Sequence, residues 1–139
     1  MNMRFLLLVL IALLAFSAGC RRTSNVATPS GGAGAAMAQD SFTAQDMRAA
    51  ILKGCADKNW RAVEVDAHTI EATNLVRGKH TVVVSIPYTA QAYAINYKSS
   101  SNMGYKAKSD GTFSIHPNYN KWVNNLEQAI RMNIAQKKQ

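Results

Sequence analysis

The stretch that decides the fold is HTVVVSIPYTAQAYAINY, residues 80–97. In each half of it, apolar side chains occupy every second position, which is the period of a β-strand with one buried face. A turn centred on Thr89 and Ala90 joins the halves, so the pattern predicts a hairpin with both apolar sets on one side. The predicted register pairs these residues in order: Ile86 with Tyr93, Val84 with Ile95 and Val82 with Tyr97.

Two more strands are predicted upstream of this hairpin. Their inward positions are Val63, Val65, Ile70 and Ala72, which also alternate with polar or small residues. Placing Ala72 opposite Val84 requires a loop with an odd number of residues around 77–79. A two-residue loop there would turn Glu71 into the core, where an unpaired carboxylate is costly.

A helix is predicted on each side of the strands. Thr43 and Asp46 have the spacing of a capping box at the start of the first helix. Its apolar stripe is Met47, Ala50, Ile51, Gly54 and Cys55. Pro117 suits the first turn of the second helix. The stripe of that helix is Trp122, Leu126, Ala129, Ile130 and Ile134. We therefore expect a two-layer α+β domain: an N-terminal helix, a four- to five-stranded antiparallel meander and a C-terminal helix.

The N-terminus has the features of an export signal. Arg4 precedes an apolar run over residues 5–16, and three small residues then lead to Cys20. A run of that length is too short for a transmembrane helix, which needs about twenty residues. Residues 17–20 resemble a bacterial lipobox, although Ser17 stands where the lipobox usually has Leu. We therefore predict that residues 1–19 are removed and that Cys20 carries the lipid, which anchors the protein without spanning the membrane.

The segment after Cys20 is poor in large apolar side chains. Residues 20–40 are rich in Gly, Ala, Ser and Thr, so they cannot bury enough surface to offset the entropy of ordering. They are predicted to be a flexible linker, and residues 41–139 a single domain. Arg21 follows the cysteine, whereas Asp there is the familiar signal for retention in the inner membrane of enterobacteria. The sequence thus favours the outer membrane, with the domain facing the periplasm.

The chain is basic, with sixteen Lys and Arg against eight Asp and Glu and a formal net charge of +8. Arg4 is the one charged side chain in the predicted signal, so its removal lowers this charge only slightly. This charge favours anionic partners. In the envelope these are lipid headgroups, lipopolysaccharide phosphates or acidic polymers. The compartment excludes nucleic acid, and an envelope protein is the other partner considered.

Catalysis and cofactor binding have no support in the motifs. There is no CxxC or HExxH spacing for a metal and no GxSxG for a nucleophilic serine, so neither a metal nor another cofactor is predicted. The three histidines, His68, His80 and His116, fall at separate places in the predicted fold. After lipidation Cys55 is the remaining cysteine, and its position on the helix stripe predicts a buried thiol.

A polar and aromatic group around the last strand and last helix is the best candidate site. Its members are Tyr97, Ser99, Ser100, Asn102, Tyr105, His116, Tyr119, Asn120 and Trp122. Amides and hydroxyls beside aromatic rings suit a glycan or a peptide. The same residues also have structural roles open to them: His116 or Asn120 as a helix cap, Trp122 and the tyrosines as core.

The segments that carry this group also carry a family resemblance. YAINYKSSSNMGY, residues 93–105, followed by IHPNYNKWVNNLEQAI, residues 115–130, resembles the C-terminal signature of a family of small, functionally uncharacterised lipoproteins from proteobacteria. The likeness extends back to the first helix. It implies an envelope location and brings no activity with it.

Two functions follow as hypotheses. The first is a non-catalytic envelope accessory that binds through the open face of the sheet or through the candidate site. The second is a small-ligand or glycan-binding protein with a pocket near the start of the C-terminal helix. A closed pocket lined by Asn102, His116 and Tyr119 favours the second, and a filled core with an exposed sheet favours the first.

Overall fold

The computed structural model describes residues 23–32 and 42–137, and these form an α+β domain, as predicted. Helix α1 spans Ala44–Asp57 and helix α2 spans Asn118–Gln136. The strands are β1 (Ser24–Asn25), β2 (Ser30–Gly32), β3 (Arg61–Asp66), β4 (Thr69–Val76), β5 (His80–Pro87), β6 (Ala92–Ala94), β7 (Asn96–Ser101), β8 (Lys106–Ala107) and β9 (Phe113–Ile115). The predicted signal and Cys20 lie outside the described residues.

The strands form three antiparallel sheets. The largest has the order β3-β4-β5-β7, the second β1-β9-β8, and the third pairs β2 with β6. The pairing of Ala72 with Val84 confirms the prediction for the central strands. Val76 pairs with His80, so residues 77–79 form the odd loop that the sequence requires. Gly78 adopts a positive φ of 64° there, which costs glycine little because it has no Cβ.

The predicted register of the last hairpin is wrong. Tyr97 pairs with Val84 instead of Val82, and Tyr93 bridges to Tyr88 instead of pairing with Ile86. Both pairs are shifted by two residues, and a shift of two leaves every side chain on its original face. The alternating pattern is therefore satisfied equally well by either register.

The hairpin turn lies one residue later than predicted, which is the physical reason for the shift. The N–H of Thr89 donates to the carbonyl of Ala92 at 2.8 Å, and Tyr88 and Tyr93 flank the turn. The chain then leaves β5 at Ile95. The N–H of Ile95 donates to the carbonyl of Pro29 at 2.8 Å instead of to Val84, and β6 pairs with β2. A further irregularity between Val83 and Val84 then places Ser100 opposite Val82.

The prediction for β3 is also wrong in its facing. Val63 is 50% exposed and Val65 is 49% exposed, while Ala62 pairs with Ala72 on the core side. Val63 pairs with Glu71, which places it on the face away from the core. Because β3 is an edge strand, its valines can face solvent at little cost to the fold, and alternation alone does not show which set points inward.

The helices close one face of the large sheet. Thr43 caps α1 with the predicted capping box, and all five residues of the predicted α1 stripe are buried. On α2, Trp122 is half-buried instead of buried as predicted. Tyr119 and Val123 are fully buried at this end of the helix stripe. The full buried stripe of α2 is Tyr119, Val123, Leu126, Ala129, Ile130, Asn133 and Ile134.

The linker prediction is wrong for residues 23–32, which we call the strap. Within it, β1 pairs with β9 and β2 pairs with β6. The strap is held mainly by backbone pairing and by side chains from α2. Such docking does not require large apolar residues in the strap, so the composition of this segment gave no sign of it. Residues 33–41 lie outside the described residues.

Candidate functional site

Asn120 and Tyr119, two of the predicted binding residues, bind the strap of their own chain. The Asn120 side chain accepts a hydrogen bond from the N–H of Ala27 at 2.9 Å. Its amide nitrogen donates to the carbonyl of Asn25 at 2.7 Å and to the hydroxyl of Ser24 at 3.0 Å. The Tyr119 hydroxyl donates to the carbonyl of Ala27 at 3.2 Å. The start of α2 is thus a clamp for residues 24–27.

Burial keeps the Tyr119 hydroxyl in its donor form. The side chain is fully buried, and this desolvation, with smaller contributions from Tyr97 and Tyr105, raises the pKa of Tyr119 far above its usual range. A neutral phenol donates a hydrogen bond, so the contact with Ala27 persists throughout the physiological pH range.

Two further predicted residues also have internal partners. The side-chain amide of Asn102 donates to the carbonyl of Lys79 at 2.7 Å, and the backbone carbonyl of Asn102 lies 2.9 Å from Nδ1 of His80. Nδ1 of His116 accepts from the N–H of Asn118 at 3.2 Å, which satisfies one free donor at the start of α2. The predicted capping role therefore belongs to His116, and Asn120 has the clamping role instead.

Four aromatic rings form a row from the surface into the core. Phe113 stacks on Tyr105 with ring centroids 5.4 Å apart, and Tyr105 stacks on Tyr97 at 4.2 Å. Tyr97 meets the buried Tyr119 edge to face at 5.7 Å. The outer rings are accessible, since Tyr105 is 37% exposed and Phe113 is 45% exposed. The Tyr97 hydroxyl lies 2.9 Å from that of Ser100.

A cleft of about 450 Å³, open to solvent, lies between the strap and this aromatic row. Its lining combines rings with short polar side chains: Asn25, Val26, Thr28, Asn96, Tyr97, Tyr105, Thr112 and Phe113. Of the predicted site residues, Tyr97 and Tyr105 are in this lining. Asn102, His116 and Tyr119, whose shared pocket would favour the ligand-binding hypothesis, do not line this cleft. Sequence reasoning missed Phe113 and the strap. The signal for Phe113 was an aromatic residue between the polar Thr112 and Ser114, in the alternation of a strand.

The sheet face away from the helices was the other candidate surface. Its predicted members are Thr69, Glu71, Thr73, Thr81, Val83, Ser85, Ala94 and Asn96. The pairing of Glu71 with Ser85 and of Thr73 with Val83 places these four side chains together there, and Lys98 forms an ion pair with Glu71. Ser99 pairs with Val83 and shares this face, so it is separated from the aromatic row. Ala94 belongs to β6 and pairs with Ser30 of the strap, in a different sheet.

Reactive groups contribute little to the described surface. Burial raises the pKa of the Cys55 thiol to about 12, so it is neither ionised nor accessible at neutral pH. Residues 23–32 and 42–137 contain no group of three or more His, Cys, Asp or Glu side chains placed to hold a metal ion. Among the same residues, neither helix is long and apolar enough to cross a membrane.

No protein-family model, curated protein or solved structure significantly matches the chain. The resemblance to the uncharacterised lipoprotein family therefore stays a prediction.

Proposed function

We propose that the protein is a lipid-anchored, non-catalytic accessory of the bacterial envelope, a member of the small lipoprotein family that its C-terminal signature resembles. Cys20 carries the lipid, and the domain faces the periplasm, on the outer membrane. Its partner is an envelope protein or an anionic envelope polymer. The observation that carries the proposal is the docking of the strap, because Ser24, four residues after Cys20, already pairs with Ile115.

This docking changes how the anchor works. Four residues span roughly 14 Å even when fully extended. A flexible chain over the whole predicted linker would separate the domain from the anchor by roughly 25 Å. With the strap docked, the lipid on Cys20 holds the β1-β9-β8 sheet close to the bilayer. The protein then presents a fixed side to the envelope.

The non-catalytic role is supported by what the candidate polar residues do. The polar groups of these residues bind other parts of the same domain. Asn120 and Tyr119 bind the strap, Asn102 binds Lys79, and His116 binds the start of α2. A pocket at the helix start would need those groups turned toward a ligand. The outward face of the large sheet, which the helices leave uncovered, supports an accessory that binds at its surface.

The anchoring is tested by metabolic labelling with an alkyne-bearing palmitate in cells that export the protein. Cys20→Ser removes the lipid acceptor, and Cys55→Ala is the matched control because it removes the other cysteine. We expect the parent and Cys55→Ala to incorporate the label and Cys20→Ser to lose it, with the mature N-terminal peptide beginning at Cys20 by mass spectrometry. Equal labelling of all three proteins would contradict the proposal.

The accessory role is tested by photocrosslinking in intact cells. A crosslinker is placed at Val83 on the exposed face of the sheet and, as a control, at Gln128 on the exposed side of α2. We expect a defined adduct with one envelope component from the first position and none from the second. A soluble small molecule captured near His116 instead would favour the ligand-binding alternative.

A further inference from the structure

The β8–β9 hairpin, residues 105–113, lies at the surface of the domain and is exposed along its whole length. It carries two large rings, Tyr105 and Phe113, and two ammonium groups, Lys106 and Lys108. Ala107 pairs with Phe113, and the N–H of Lys108 donates to the carbonyl of Thr112. Lys108 therefore lies opposite Thr112, one position from Phe113 along the hairpin, and the lysines project from the face opposite to the rings.

The hairpin belongs to the sheet that the chain enters directly after the anchor. Ser24 pairs with Ile115, two residues from Phe113, and the N–H of Val26 donates to the carbonyl of Phe113 at 3.2 Å. By chain length alone Cys20 lies within roughly 14 Å of Ser24, and the base of the hairpin at Phe113 is two residues from the partner of Ser24. Phe113 is therefore within roughly 25 Å of the lipid-bearing residue, and the hairpin tip is farther away.

The hairpin is held in one shape by contacts within the described residues. Lys108 donates from its ammonium group to the Asn25 side chain at 2.7 Å, which ties the hairpin to the strap. The Asp110 carboxylate accepts from the N–H of Thr112 at 2.9 Å and from its hydroxyl at 2.6 Å, and Gly111 completes the turn with a φ of 80°. A preformed hairpin has little conformational entropy left to lose when it binds.

The charges beside the anchor are mainly positive. Arg21 and Arg22 follow Cys20 in the sequence, and the hairpin adds Lys106 and Lys108. The acid of the hairpin, Asp110, is turned toward Thr112. Basic groups at a bilayer surface are attracted to anionic lipid headgroups, and aromatic rings favour the zone between headgroups and acyl chains.

We propose that the β8–β9 hairpin is a membrane-contact element: its rings enter the headgroup zone of the bilayer that holds the Cys20 lipid, and its lysines bind anionic headgroups there. This inference rests on the proposed lipid anchor. The lipid supplies the attachment, and the hairpin fixes which side of the domain faces the membrane.

The test uses the processed, lipidated protein reconstituted into vesicles of phosphatidylethanolamine with about 30% phosphatidylglycerol. An environment-sensitive fluorophore is attached at Ser109→Cys, at the hairpin tip, or at Leu75→Cys, an exposed position on the large sheet. Cys55 does not compete for the label because its thiol is buried. Quenching by lipids with a nitroxide on the headgroup then reports contact with the bilayer.

We expect quenching at position 109 to exceed that at position 75 by at least about threefold. Phe113→Ala should reduce the difference, and so should Lys106→Gln with Lys108→Gln, whereas the control pair Lys53→Gln with Lys58→Gln should not. Equal quenching at the two positions would overturn the inference. Protection of position 109 by an added oligosaccharide, without lipid quenching, would assign the aromatic surface to a glycan instead.

The two proposals fail in different ways. The mass of the mature N-terminal peptide is measured on the same sample. A protein without lipid on Cys20 refutes the anchor itself. A lipidated protein with no quenching at position 109 leaves the anchor in place and refutes the hairpin contact.

Discussion

Gly54 of α1 lies directly against the backbone of Ile130 in α2. A Cβ at position 54 would be 2.7 Å from the Cγ1 atom of Ile130 and 2.9 Å from its backbone nitrogen. These distances are shorter than normal van der Waals contacts, and a backbone atom cannot move aside as a flexible side chain can. The two helices therefore approach each other closely because position 54 has no side chain.

Because of this contact, the sign of the stability change in Gly54→Ala distinguishes packing from helix propensity. Helix propensity alone predicts that Gly54→Ala stabilises the domain by about 1 kcal/mol. The contact with Ile130 predicts the opposite, a loss of about 1 to 3 kcal/mol from overpacking. We expect a lower midpoint in urea unfolding for Gly54→Ala. The same measurement on Ala56→Gly, at an exposed position of α1, should give the ordinary propensity cost of about 1 kcal/mol.

Two buried tyrosines form a second matched pair. The Tyr119 hydroxyl donates to the carbonyl of Ala27, whereas the Tyr93 hydroxyl, near Arg131 and Glu127, makes no hydrogen bond within the described residues. Tyr119→Phe should cost about 1 kcal/mol because it removes a partner from Ala27. Tyr93→Phe should be neutral or slightly stabilising, since it removes an unsatisfied buried group. A comparable loss of thermal stability in both variants would contradict this assignment.

Three valines test the facing of the large sheet. Val84 is fully buried, so Val84→Asp should cost several kcal/mol and unfold the domain. Val83→Asp, on the exposed face, should be much milder. Val63→Asp should cost about 1 kcal/mol, because Val63 is half exposed and the new carboxylate would lie opposite Glu71. Circular dichroism during chemical unfolding measures all three, and a large loss for Val63→Asp would restore the inward facing that the alternation predicted.

Asp46 contributes to the fall in the free energy of unfolding at acid pH. A hydrogen bond from Lys137, together with those from Thr43, lowers the pKa of Asp46 from 3.8 to about 2. Because the folded pKa is depressed, the stabilisation is complete above pH 3.8 and is lost as the pH falls toward 2. Asp46→Asn should therefore flatten the fall in stability between those pH values. An unchanged slope in unfolding experiments across that range would exclude the Asp46 contribution.

Much of the fold could be predicted because helix stripes and strand alternation report directly on burial. The capping box at Thr43, the buried α1 stripe and the pairing of Ala72 with Val84 follow from that physics. The register of Tyr97 did not, because a slip of two residues preserves both faces of the strand. Val63 faces outward on an edge strand, and the alternation within β3 does not show that this strand lies at the edge of the sheet.

Only part of the candidate site was predictable from the sequence. Tyr97 and Tyr105 line the cleft, whereas Phe113 and the strap were missed. Tyr119 and Asn120 bind the strap, a segment that pairs through its backbone and has almost no large apolar side chains. Backbone hydrogen bonding leaves no mark in composition, so the partner of Asn120 could be found only in three dimensions.

The central claim is that the strap belongs to the folded domain and so fixes the domain beside the proposed anchor at Cys20. Amide hydrogen exchange at Ala27, whose N–H donates to Asn120, tests it most directly. We expect exchange at least about tenfold slower than in an unstructured chain. Asn120→Ala should abolish that protection and leave Val84 protected, and the control Asn125→Ala, at an exposed position of the same helix, should leave both protected. Exchange of Ala27 at the unstructured rate in the parent protein would contradict the account.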